Sequence, residues 1–204
     1  MKQALIVNFF GGPGTGKSTI AAHVFAELKW LGESCELVTE FAKDLVWSNA
    51  LDVLSDQTYV LGHQFHRVFR LAHQVDIVVT DSPFLLSLAY DPTQSEKMVA
   101  FVLEKFEEFT NLNLVLERRR PYSKIGRMQD EDGARKKDTE IHNMLNVLGV
   151  DHTHFEGTRN AVPMVMEYIN AVLMGYRNYE ANIADTLGKE KSSFTSPLPK
   201  CMIV

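Results

Sequence analysis

Residues 11 to 18, GGPGTGKS, constrain this chain more than any other stretch. The pattern G-x-x-x-x-G-K-[ST] requires a buried strand before it and a helix after it. Ala4 to Phe10 is an apolar run that reads as that strand, and Lys17 to Leu31 carries Ile20, Val24, Phe25, Leu28 and Leu31 at helical spacing, with Gly32 placed to stop it. Gly11, Gly12, Gly14 and Gly16, with Pro13 and Thr15 between them, let successive N–H groups curl around a phosphate at the positive end of the following helix. Gly11 to Thr19 is therefore expected to bind a nucleoside triphosphate. Lys17 would reach the β- and γ-phosphates, and Ser18 would supply a hydroxyl to Mg²⁺.

With 204 residues, 45% hydrophobic and 23% charged, the composition is that of one soluble domain able to bury a full core. No apolar window is long enough for a membrane helix, so no membrane partner is expected. The run after Lys2 leads straight into the phosphate loop and does not read as a signal sequence, which gives a cytoplasmic expectation. Cys35 and Cys201 have no metal-like spacing. A net charge of −5 argues against a general nucleic-acid coat.

Along the chain, Cys35 to Thr39 reads as a second strand that delivers Glu40 to its C-terminal end, where open α/β sheets place their ligands. Phe41 to Trp47 reads as a short helix and Asp56 to Gln74 as a longer one; His63 and His73 on the latter read as packing rather than as metal ligands. Arg67 has two readings, a contact to a polar substrate or a surface salt bridge. A third strand, Asp76 to Thr80, ends at Asp81, the usual place of a Mg²⁺-associated carboxylate, although Asp81 before Ser82-Pro83 also reads as a helix N-cap. Ser82 stands where motor ATPases carry a water-activating glutamate, and no N-K-x-D guanine motif is present. Met98 to Phe109 reads as a helix and Leu112 to Leu116 as a fourth strand. Arg118, Arg119, Arg120, Lys124, Arg127, Arg135, Lys136 and Lys137 then crowd a segment, about 117–137, that reads as an arginine-bearing lid. A helix from Asp138 to Leu148, a weak strand at His152 to Phe155 and a long helix from Val162 to about Leu187 complete a domain over 1–187, with 188–204 expected as a flexible tail.

Taken together, GGPGTGKST, TEFAKDL at 39–45, Gln64 to Arg67, TDSP at 80–83 and the run 117–141 resemble the P-loop ATPase/kinase family common in bacteriophage genomes. That family is similar to the nicotinamide riboside kinase domain and, more distantly, to thymidylate and deoxynucleoside kinases. The resemblance implies an α/β three-layer fold: a five-stranded parallel sheet flanked by helices, the second and third strands on one side of the first. It implies ATP on the loop and Mg²⁺ at Ser18 and Asp81. Glu40 matches a catalytic base, with Asp81 and Asp44 as alternatives, and Arg118 and Arg127 match lid arginines that neutralise the transferring group. Glu40, Asp44, Gln64 and Arg67 would line the acceptor pocket. The implied activity is phosphoryl transfer to a nucleoside, nucleotide or ribosyl hydroxyl in phage nucleotide metabolism. Kinase action on hydroxymethyl pyrimidines in DNA, and a regulatory ATPase switch, are the competing readings. The exposed face of the last helix is a candidate homodimer surface.

Overall fold

The computed structural model describes residues 3–91, 93, 95–119, 121–123, 125 and 129–193, with side chains described through 178. β1 (Leu5–Phe10) is buried at every position, as a strand covered on both faces must be, and it lies at the centre of the sheet. α1 (Lys17–Trp30), β2 (Cys35–Val38), α2 (Phe41–Trp47), α3 (Leu51–Ser55), α4 (Gln57–Phe69) and β3 (Ile77–Thr80) follow. Next come α5 (Leu86–Tyr90), α6 (Glu96–Glu107), β4 (Thr110–Glu117), α7 (Glu131–Val147), β5 (Thr153–Glu156), a 3-10 turn (Arg159–Ala161) and α8 (Val162–Ser193).

The sheet order is β2-β3-β1-β4-β5 and every pairing is parallel. β1 pairs β3 from Leu5 opposite Ile77 and β4 from Leu5 opposite Thr110. The expected placement of the second and third strands on one side of the first is therefore observed. All C-terminal strand ends share one edge, and the chain crosses from the β2-β3 side to the β4-β5 side of β1, which sets the switch point for a ligand at that edge.

One sheet face, with Ile6, Phe10, Val78 and Val115, packs on Leu61 and Val68 of α4, Leu86 and Leu88 of α5, Val102 and Phe106 of α6, and Ile141 and Leu145 of α7. On the same face, Asn8 donates from Nδ2 to the Oδ1 atoms of Asn111 (2.9 Å) and Asn113 (3.0 Å), so a polar strip crosses β1 and β4. α1 lies against β1, β2 and β3 and buries Ile20, Ala21, Val24 and Leu28.

Several elements differ from the sequence expectation. α4 starts one residue later than expected, because Asp56 is its N-cap and accepts from the Tyr59 N–H at 3.0 Å. No helix starts at Pro83: α5 begins at Leu86 with Leu85 at its N-cap, so the N-cap reading of Asp81 is corrected. α7 begins at Glu131, capped by Asp130, which accepts from the Gly133 N–H at 2.8 Å. Residues 131–137 of the expected lid segment are therefore helical. Their only buried side chain is Ala134, too thin an apolar face to show as periodicity. α8 continues past Gly188 to Ser193, as Lys and Glu in KEKSS favour helix propagation without any apolar pattern. Residues 194–204 of the expected tail lie outside the described residues. Two compact units divide the chain, Met1–Val165 and Met166–Val204. The first holds the sheet and the candidate site, and the described part of the second is the remainder of α8.

Candidate active site

The loop leaves β1 and enters α1 through Gly16, whose φ of 104° is open to glycine and strained for other residues. No side chain caps α1 and no acidic residue lies in its first turn, so the amide groups at its start remain for an anion. Thr15 turns inward and donates its hydroxyl to Gly12 O at 3.0 Å, which closes the loop on itself. Ser18 and Thr19 are exposed. Lys17 is half-buried and donates from Nζ to Gly11 O (2.7 Å) and Gly12 O (3.1 Å). Burial lowers its pKa, against the opposing pull of the Glu40, Asp81 and Asp138 carboxylates.

Two carboxylates stand at the ends of neighbouring strands. Glu40 follows β2 as the N-cap residue of α2. Burial raises its pKa, the nearby Asp81 and Asp44 carboxylates raise it further, and Lys17 and Lys43 oppose the shift. Asp81 follows β3, is 2% exposed, and its Oδ1 is buried without a hydrogen-bond partner. An orphaned carboxylate oxygen beside the loop, with the Ser18 hydroxyl exposed, fits a divalent cation with oxygen ligands.

Gln64 and Arg67 both hold the turn that carries Glu40. The Phe41 N–H donates to Gln64 Oε1 at 3.1 Å, and Gln64 Nε2 lies 3.4 Å from Thr39 O. Arg67 donates to Thr39 O at 3.1 Å and to Asp44 Oδ2 at 2.9 Å, with its guanidinium 5.1 Å from the Phe41 ring centroid. A cleft of about 300 Å³ opens between the loop and α2 to α5, lined among others by Lys17, Glu40, Lys43, Val60, Leu86 and Tyr90. Glu40 lines it; Asp44, Gln64 and Arg67 do not.

Arg118 lies on the flank of the loop. It donates to both Asp138 oxygens (Nε to Oδ2 at 2.8 Å, Nη2 to Oδ1 at 3.1 Å) and to Pro13 O at 2.8 Å. Asp138 Oδ1 also accepts from the Gly12 N–H at 2.8 Å, and a Cβ on Gly12 would overlap that same carboxylate. Arg118 Nη1 is buried without a partner, close to Gly14. Among the described residues of the basic run, Arg119 pairs with Glu117 and Glu156, Arg135 with Glu131, and Lys136 and Lys137 with Glu140. Arg127, with Arg120 and Lys124, lies outside the described residues.

Sequence reasoning missed Asp138, Tyr90, Lys43 and Gly157. Asp138 sits 126 residues beyond its Gly12 partner, so no local spacing marks it. Gly157 directly follows β5, and any Cβ there would overlap the Thr15 carbonyl. A glycine after a short polar strand was its only trace.

A parallel sheet in this order, with the glycine loop between its central strand and α1, is the architecture of P-loop nucleotide-binding proteins. The model of the AAA domain family AAA_28 matches residues 6–160, and the chain belongs to that family. Among solved structures, the fold is similar to that of NadR protein in complex with NR, at 15% identity and a TM-score of 0.62, over 81% of this chain and 50% of that one. It is also similar to deoxyadenosine kinase from M. mycoides with bound dATP, at 17% identity and a TM-score of 0.55, over 81% of this chain and 98% of that one. The chain thus spans about half the length of the NadR protein it matches. No curated protein matches it. The fold is the three-layer α/β fold of P-loop proteins.

Proposed function

We propose that this protein is an ATP-dependent kinase that phosphorylates a hydroxyl of a nucleoside, nucleotide or ribosyl compound. The observation that carries this reading is Glu40: a carboxylate with raised proton affinity, in the same cleft as the loop lysine. ATP hydrolysis alone needs a group to orient water. A base held in a pocket with apolar walls formed by Val60 and Leu86 suits an organic acceptor better. NadR bound to NR and deoxyadenosine kinase bound to dATP carry ribosyl or deoxyribosyl ligands on this fold, in keeping with that acceptor class.

In this reading the amides at the start of α1 and the loop hold the phosphates, and Lys17 Nζ exchanges its Gly11 and Gly12 carbonyls for phosphate oxygens. Ser18 and Asp81 would hold Mg²⁺, which neutralises phosphate charge when bound. Glu40 accepts the proton of the acceptor hydroxyl as that oxygen bonds to the γ-phosphorus of ATP and the bond from this phosphorus to the β–γ bridging oxygen breaks, so that ADP leaves. Gln64 and Arg67 keep the Glu40 turn in place from behind, and Asp44 serves as the anchor of Arg67. Arg118 fixes the loop through Pro13 O, and its unpartnered Nη1 is the donor left for a phosphate oxygen.

The test is transfer from γ-labelled ATP with Mg²⁺ to separate pools of nucleosides, nucleoside monophosphates, nicotinamide riboside and DNA containing hydroxymethyl pyrimidines, with Lys17→Ala as control. Label in a small-molecule pool, absent with the control, is expected. Label in DNA alone would move the acceptor from free nucleosides to polymer. Free phosphate released at a rate no pool changes would replace the kinase by an ATPase switch.

A further inference from the structure

Three of the chain's seven histidines, none lining the cleft, converge at the β5 edge of the sheet. His152 precedes β5 and His154 lies within it; two residues apart on extended chain, they share a face. His142 reaches them from α7, next to Ile141, which is fully buried and fixes that face of the helix inward. The ring centroids are 5.2 Å apart for His142–His154 and His152–His154, and 5.7 Å for His142–His152. One nitrogen of each ring lies within 4.8 Å of the other two.

Hydrogen bonds set the tautomers of two rings: Asn146 Nδ2 lies 3.0 Å from His142 Nε2, and an amide nitrogen only donates, so the His142 lone pair is on Nε2 and a metal bound there would displace Asn146. His152 Nδ1 lies 2.7 Å from Val150 O, and a carbonyl only accepts, so Nδ1 carries the proton and the Nε2 lone pair is free. His154 Nδ1 lies 3.7 Å from Glu117 Oε1, beyond hydrogen-bond length, so the carboxylate stands behind the ring as an ion-pair partner.

We propose that His142, His152 and His154 form a binding site for one divalent transition-metal ion of the zinc class, with a fourth position open to water. Three imidazole donors suit zinc, copper or nickel, whereas Mg²⁺ takes oxygen ligands, so this site is chemically separate from Ser18 and Asp81. Metal–nitrogen bonds of about 2.0–2.1 Å bring tetrahedral ligand atoms to about 3.4 Å from one another. Side-chain rotation of the half-exposed rings covers the difference. The ion would clip α7 to β5. Because His142 lies four residues after Asp138 on the same face of α7, the clip would also steady the carboxylate that holds Gly12 and Arg118.

The test uses the full, untagged chain, stripped by a chelator and titrated with Zn²⁺ against a chromophoric competitor, in excess Mg²⁺. One Zn²⁺ per chain is expected, and the double variant His142→Ala/His154→Ala should lose about 100-fold or more in affinity while keeping its circular dichroism melt. Histidine carbethoxylation mapped by mass spectrometry on the unaltered chain gives a readout that no variant's folding can confuse. Zn²⁺ should protect His142, His152 and His154 and leave His23, His63, His66 and His73 reactive. No saturable binding, binding that survives the double substitution, or protection spread over the other histidines would each overturn the proposal.

Discussion

A carboxylate that must take a proton from an alcohol does so best when its own proton affinity has been raised toward neutrality, and Glu40 is in that condition. The same burial that raises Glu40 lowers Lys17, so the two opposite charges of the cleft are each held less firmly than in water. The sign of the pH dependence follows. Glu40 is an effective base only when ionised, so kcat/KM should fall as pH drops through its raised pKa, earlier on the acid side than an ordinary glutamate would allow. Lys17 serves only when charged, so activity should fall again on the alkaline side, at a pH below the usual lysine value. Glu40→Gln should abolish the acid limb and lower kcat by about 10²- to 10⁴-fold. An acid limb that persists in Glu40→Gln would assign it to another carboxylate, with Asp81 the first to examine.

At the scale of elements, the loop is held by α7 as well as by its own strand and helix. Asp138 takes the Gly12 N–H and two Arg118 donors at once, and the Arg118 side chain is only 5% exposed. Removing Asp138 leaves a nearly buried guanidinium without its counter-charge, so Asp138→Ala should cost about 3 kcal/mol in urea unfolding. Arg118→Ala combined with it should show a coupling of about 1–3 kcal/mol. The exposed Arg135–Glu131 pair on the same helix gives the contrast, at under about 1 kcal/mol for Arg135→Ala. This network also marks how far the sequence is legible. β1, α1 and α2 were readable because each rests on local signals, an apolar run, a glycine loop, a helical spacing and a stop at Gly32, whereas the parallel order came only with the family resemblance. The start of α7 was hidden, because its buried face shows little beyond Ala134, Ile141 and Leu145 under a coat of charges. Of the site, the loop, Glu40 and Asp81 could be named because they sit at strand ends. Asp138, Gly157 and the three histidines could not, because each acquires its meaning only when α7 and β5 close beside the loop.

For the whole molecule, the unsatisfied polar groups of the site bear on stability. Asp81 Oδ1 and Arg118 Nη1 are buried without partners, and the amides at the start of α1 have no cap. Each is a polar group whose desolvation the protein alone does not offset. A ligand that satisfies them should therefore stabilise the first unit as a whole, through linkage between binding and folding. At 100 times its dissociation constant a nucleotide adds about 2.7 kcal/mol. For a chain of this length that corresponds to a rise in Tm of about 5–10 °C. If Asp81 holds the cation, chelating Mg²⁺ should remove much of that rise in the unaltered protein and change little in Asp81→Asn. The variant without ligand should melt no lower than the parent, because Oδ1 makes no hydrogen bond that the substitution could break. Differential scanning calorimetry with ATP, with and without Mg²⁺, reads all of these at once. A Mg²⁺-dependent shift of undiminished size in Asp81→Asn would remove Asp81 from the cation site and leave its orphaned oxygen without that explanation.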